Sequence, residues 1–152
     1  MAVFTEVSKK DAREVLRRLQ IGELVELRGI EGGIENTNYF LTSTQGEFVL
    51  TLFERLTAEQ LPFYLHLMKH LAHGGIPVPE PRADKYGEIL HTVAGKPAAV
   101  VSKLRGKVHE VEGVPVVVTY HPAYLLRTLT DKARAWEDLC LARKVYAEHG
   151  GK

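Results

Sequence analysis

Residues able to do chemistry cluster at a few places in this chain. Glu31-Gly32-Gly33 comes first. Two adjacent glycines let the backbone take positive φ and approach a ligand closely. Consecutive backbone N–H groups in such a turn can cradle phosphate oxygens. A Gly-Gly pair also closes ordinary hairpins, and the pattern alone favours that plainer reading. His66, His70 and His73 share one helical face, and two histidines four apart can share a zinc ion. No carboxylate sits inside the His-x-x-x-His spacing, and a solvated face accounts for it as well, so no metal site is assigned. His109, Glu110 and Glu112 read as decoration of a turn before Gly113. His121-Pro122 closes an apolar run at its C-terminal end, where α/β proteins place their chemistry. Arg127, Lys132, Arg134, Arg143 and Lys144 make the last third locally basic, as phosphate contact would need. Asp131, Glu137, Asp138 and Glu148 offset them, which fits a salt-bridged helix surface.

The elements that must hold these residues follow from periodicity. Ser8 to Leu19 predicts a helix, with Ser8 as cap, Asp11 at the capping-box position and Ala12, Val15, Leu16 and Leu19 on one face. Gly22 is the expected stop. Strands follow at Glu26 to Ile30, Thr37 to Thr42 and Glu47 to Phe53, with turns at Glu31-Gly32-Gly33 and Ser43-Thr44-Gln45-Gly46. Thr57 to Ala72 predicts a second helix with Leu61, Tyr64, Leu65, Met68, Leu71 and Ala72 inward. Pro62 prefers a first turn, which moves the start toward Leu61. The proline-rich Ile76 to Pro81 is an extended connector. Tyr86 to Val93 and Pro97 to Leu104 predict two more strands around Gly95-Lys96. The sum is an α+β fold, a five-stranded antiparallel sheet with the 57–73 helix packed on it. Val114 to Tyr120, VPVVVTY, reads as a strand buried on both faces with no sheet of its own kind to join. Thr128 to Tyr146 reads as one helix with Ala135, Trp136, Leu139, Ala142 and Tyr146 as its apolar face. An unpaired strand of that kind predicts homodimerisation, domain swapping or poor solubility.

Whole-chain properties narrow the function classes. The chain has 152 residues, 45% of them hydrophobic and 26% charged, which suits a folded domain. A net charge of +1 supplies no global field for nucleic acid or acidic lipid. The single cysteine, Cys140, excludes an internal disulfide and fits a reducing, cytoplasmic setting. The N-terminus lacks an apolar signal region, and no apolar run approaches a membrane span.

The stretches MAVFTEVS, GIEGGIENTNYFL, GEFVLTLFE, LPFYLHLMKHLA, GIPVPEP and GKPAAVVSKL occur in this order between Met1 and Leu104. In this the chain resembles the N-terminal lobe of bacterial homoserine kinases, which share the aminoglycoside-phosphotransferase and protein-kinase-like fold. The resemblance implies a kinase-like N-lobe at 1–104 that uses ATP and Mg²⁺ to phosphorylate L-homoserine in threonine biosynthesis. It makes Glu31 to Asn38 the nucleotide-covering loop, with Gly32, Gly33, Asn36 and Asn38 as nucleotide-binding residues. It sets Val100 to Leu104 on the approach to the adenine hinge. Thr51 occupies the third-strand position where protein kinases carry a phosphate-pairing lysine, and Glu59 reads equally as the helix glutamate of such kinases or as an exposed helix residue. Phosphoryl transfer needs one carboxylate near the attacking hydroxyl and another on Mg²⁺. After Leu104 there is no His-x-Asp-x-x-x-x-Asn. The expectation is a nucleotide-binding lobe that is inactive alone.

Residues 102 to 148, with VVVTYHPAYLLR and AWEDL, resemble the C-terminal end of bacterial iron–sulfur uracil-DNA glycosylases. That likeness implies a separate segment at 105–152. In it His121 stabilises the departing uracil, and Leu125, Leu126 and Arg127 contact DNA and fill the gap left by a flipped base. The family's Gly-Glu-x-Pro-Gly loop and its four cluster cysteines are absent, so no iron–sulfur cluster is expected and Cys140 reads as a small helix residue. The simplest account of two likenesses meeting at Ser102 to Lys107 is a chimera. A non-catalytic nucleotide-binding or interaction module is a further alternative.

Overall fold

The computed structural model describes residues 5–30, 35–127 and 129–149. Glu31, Gly32, Gly33 and Thr128, with the side chains of Tyr124 and Arg127, lie outside the described residues.

The first helix, α1, spans Lys9–Leu19. Ser8 and Asp11 form a full capping box, each side chain satisfying the other's backbone N–H. The expected stop at Gly22 is displaced: Gln20 takes the left-handed conformation and caps the helix itself. Gly22 has another task. Its φ is +89°, and a Cβ there would lie 2.5 Å from Thr44 Oγ1.

Strands β1 (Leu24–Ile30), β2 (Asn36–Ser43) and β3 (Gly46–Phe53) form a meander. Next come α2 (Leu61–His73), β4 (His91–Val93) and β5 (Lys96–Ser102). The sheet is five-stranded and antiparallel, as the sequence predicts, and its strands lie in the order β1-β2-β3-β5-β4. Alternation decides its faces. Tyr39, Leu41, Phe48, Leu50 and Leu52 point to one side and bury against Ala12, Val15, Leu16 and Leu19 of α1. On the other side, Leu61 and Leu65 of α2 pack with Ile89 and Ala99.

Several expectations need correction. α2 starts at Leu61, close to Pro62, but only Leu61 and Leu65 of its predicted inward face are buried, and Tyr64 is exposed. The strand expected at Tyr86 to Val93 shrinks to His91–Val93. Asp84 accepts the N–H groups of Tyr86 and Glu88 at 2.9 and 3.0 Å, which holds that stretch as a turn.

The largest corrections concern the C-terminal third. Val114–Val117 forms strand β7 and is neither unpaired nor doubly buried. It pairs with β6, Val108–Val111, a strand absent from the sequence expectation. Glu112 and Gly113 have φ of +50° and +79°, the conformation of a two-residue hairpin turn whose twist suits the strands. His109 and Glu110 therefore lie in a strand, not a turn. The premise for dimerisation through an unpaired strand is removed.

The helix expected at 128–146 corresponds to a 3-10 turn at Leu129–Asp131 followed by α4 (Lys132–Glu148), and a short helix α3 (Pro122–Arg127), absent from the sequence expectation, precedes them. The face of α4 is rotated from expectation. Ala135, Asp138 and Val145 are buried, whereas Trp136, Leu139 and Tyr146 are exposed.

The chain forms two compact units, one of 1–73 with 78–103 and one of 74–77 with 104–152. No helix among the described residues is long and apolar enough to cross a membrane.

Candidate functional site

The alternation that sends Tyr39 and Leu41 into the α1 core leaves Asn36, Asn38 and Phe40 on the opposite face of β2. Register then builds a polar patch there. Asn38 lies beside Ile30 of β1 and opposite Thr51 of β3, and Thr51 is in turn opposite Ala99 of β5. The Thr51 hydroxyl donates to Asn38 Oδ1 at 2.7 Å. Asn38 Nδ2 donates to the Asn36 carbonyl at 3.5 Å. Three of the five residues expected at the nucleotide thus meet on one sheet face, beside the connection between β1 and β2. Gly32 and Gly33, on that connection, lie outside the described residues.

Two cations flank the same face. Arg28 stands 4.9 Å from the centre of the Phe40 ring and Lys103 5.7 Å from it. Lys103 also pairs with Glu47 at 2.7 Å. Such a face offers a half-buried aromatic ring, two positive groups and an amide–hydroxyl pair with unused donors and acceptors. That chemistry suits a heteroaromatic, anionic ligand.

The opposite face holds a structural acid. Glu54 accepts hydrogen bonds from the Thr5 and Thr37 hydroxyls and faces Lys96 Nζ at 3.0 Å. The Thr5 hydroxyl, followed by the contacts from Thr37 and Lys96, outweighs burial and holds its carboxyl below the usual range. Tyr39 completes the anchor: its hydroxyl donates to the Thr5 carbonyl and accepts from Val7 N–H, each at 3.0 Å. Sequence reading missed this network because its members are far apart in the chain.

Glu59 lies in the turn ahead of α2 rather than within it. A hydrogen bond from Thr57 lowers its carboxyl's pKa. His91 is a second residue that sequence reading missed. It is buried on β4, its Nε2 has no hydrogen-bond partner, and burial pushes its pKa down. His73 of the three-histidine face pairs with Glu80 at 3.3 Å. No three of His, Cys, Asp and Glu come together as a metal cluster among the described residues.

In the C-terminal unit His121 is exposed just ahead of α3, Leu125 is half-buried and Leu126 is 77% exposed. The arrangement centres on Asp138, which reads in sequence as a surface acid and is only 2% exposed. Arg105 donates to one carboxylate oxygen at 2.9 Å and Thr119 to the other at 2.9 Å. Arg105 also reaches the Arg134 carbonyl at 3.1 Å and stacks over Tyr120. Arg134 binds Asp131 at 3.1 Å, and its pKa is raised, first by Tyr120. This knot fastens the strand-to-helix segment onto α4. The visible signal was spacing, since Asp138 falls on the helical face of Ala135 and Val145.

The pattern of the phosphotransferase enzyme family matches residues 26–139, beyond the Ser102–Lys107 join. The chain is 68% identical over 106 residues to a homoserine kinase of Polaromonas naphthalenivorans (strain CJ2), covering 70% of this chain and 34% of that protein. It is 55% identical over 114 residues to a homoserine kinase of Burkholderia multivorans (strain ATCC 17616 / 249), covering 75% and 34%. A homoserine kinase of Paraburkholderia phytofirmans is 54% identical with the same coverage. The chain thus spans about a third of the length of the curated relatives it matches. With the family pattern extending over well more than half of the sequence, the chain belongs to the phosphotransferase enzyme family.

Proposed function

We propose that this chain is the nucleotide-binding lobe of a homoserine kinase-like phosphotransferase, binding ATP without transferring its phosphate unaided. The observation that carries the reading is the Asn36–Asn38–Thr51 patch beside the β1–β2 connection. The identity to homoserine kinases supports the family's substrate pair, ATP and L-homoserine. Asn36 and Asn38 serve as polar contacts to the nucleotide, with Gly32 and Gly33 supplying backbone N–H groups to its phosphates. Thr51, lacking a charge, orients Asn38 rather than neutralising a phosphate. The missing His-x-Asp motif accounts for the absence of turnover, because no carboxylate is assigned to the attacking hydroxyl. Calorimetry of the chain with ATP is expected to show binding, and a coupled assay with homoserine no turnover. Turnover at an ordinary kinase rate would overturn the inactive-lobe reading, and absence of ATP binding would overturn the site itself.

A second reading, nucleic-acid contact through residues 105–152, draws on the compact unit of 74–77 with 104–152 and the exposed Leu126. In it Leu125, Leu126 and Arg127 meet DNA, and His121 acts on a flipped uracil. It carries the chimera account with it. Uracil release from single-stranded DNA, lost in His121→Ala, is its expected signature. An inert wild-type chain would sink it.

A further inference from the structure

Helix α1 carries five of the chain's 20 lysines and arginines against two of its 19 acids. Folding does not ask for this arrangement. Lys9 and Lys10 stand in the first turn, where the helix dipole opposes cations. Lys9, Arg13 and Arg17 follow at steps of four residues, so like charges stack about 6 Å apart along the axis and repel. These four side chains are exposed, and among the described residues none of them enters an ion pair. Glu14 is engaged by Arg18 at 3.5 Å. Two clefts open along the helix and share Arg17. One, of about 280 Å³, is lined by Lys10, Arg13 and Arg17, with Glu23 on its rim. The other, of about 270 Å³, runs from Arg17 and Arg18 to Asp84, Lys85 and Tyr86. Asp84 turns one carboxylate oxygen onto the Tyr86 and Glu88 N–H groups. Tyr86 is 76% exposed, and Lys85 stands 4.8 Å from the centre of its ring.

We propose that α1 and the Asp84–Tyr86 turn bind single-stranded nucleic acid, with backbone phosphates along Lys10, Arg13, Arg17 and Lys85 and a base on Tyr86. The residues select this partner over other polyanions. Every apolar residue of α1 is buried, so an anionic membrane finds nothing on its exposed side to take up. A bare phosphate chain leaves the exposed ring unused. A basic track that ends at an aromatic platform is the combination that holds a single strand without reading its sequence. The track lies on the α1 side of the sheet, opposite the Asn36–Asn38–Thr51 patch, so a nucleotide on that patch does not compete with it.

Fluorescence anisotropy of a labelled oligo(dT) with the full chain is expected to show binding whose log K falls with log salt at a slope of about −3, roughly 0.7 for each of four cations. Arg13→Ala and Arg17→Ala are each expected to weaken binding and to flatten the slope by about 0.7. Their melting temperatures are expected to hold or rise, because each variant removes a repulsion from α1. Tyr86→Ala is expected to weaken binding roughly fivefold or more with the slope unchanged. Glu23→Gln, which removes an opposing charge from the cleft rim, is expected to tighten it. Absence of oligo(dT) binding at low salt overturns the proposal. So does poly-glutamate binding equally well, or a loss of binding in Leu126→Ala while the α1 variants bind normally, which would move the interface to the C-terminal unit.

Discussion

Thr51 and Asn38 owe their meeting to a single register, in which the two face each other across β2 and β3. With that 2.7 Å hydrogen bond on its oxygen and one N–H given to the Asn36 carbonyl, the Asn38 amide keeps a second N–H for a ligand. Thr51→Val removes the orienting donor and Asn38→Ala removes the contact. Each is expected to weaken ATP binding about fivefold, near 1 kcal/mol for a neutral hydrogen bond, with calorimetry as the check. Buried His91 poses a different question. Asp84 and Glu88 favour its proton and Arg18 opposes it, but burial is the largest influence and depresses its pKa. With the folded pKa below the unfolded one, the unfolded chain binds the extra proton first. Stability is therefore expected to be full above the ordinary value of 6.5 and to fall as pH drops through it toward the folded pKa. Urea titrations across that window check this, and His91→Leu is expected to lose that share of the slope.

Between α1 and β1 the chain turns within a few residues, and Gly22 makes the turn possible. Glu23 N–H bonds Thr44 Oγ1 at 3.0 Å, so the turn is locked onto the β2–β3 connection. Any side chain at Gly22 meets that hydroxyl at a φ that L residues rarely adopt. Gly22→Ala is expected to cost about 1–3 kcal/mol, read as a lowered midpoint in chemical denaturation. Helix α1, meander and β5 were legible in sequence because each carries a clear period over a sufficient length. The β6–β7 hairpin was not, because Val108 to Val111 is short and charged, and its turn, Glu112-Gly113, lacks the commoner Asn-Gly or Asp-Gly signature. Helix α3 was also hidden, since six residues after His121-Pro122 carry too short a period to mark a helix.

Two compact units imply two cooperative transitions in the whole molecule. The first unit rests on the α1–sheet core. The second depends on the Asp138 knot, where a carboxylate is desolvated and held by Arg105 and Thr119. Asp138→Ala strands the Arg105 charge and is expected to cost about 3–5 kcal/mol. Hydrogen exchange should show the loss in α4 and β7 while the five-stranded sheet keeps its protection. A uniform loss would mean that the units unfold as one.

By itself the sequence determined the five-stranded sheet and the α1 cap. Those features follow from local periodicity and from hydrogen bonds between near neighbours, which residue order encodes directly. Only the tertiary structure decided that Thr51 orients Asn38, that Glu54 anchors the N-terminal segment, and that Asp138 rather than Trp136 faces inward. The last case shows the reason. Hydrophobicity alone turns α4 onto Trp136, Leu139 and Tyr146, but Arg105 and Thr119, distant in sequence, satisfy a buried carboxylate and turn the helix the other way.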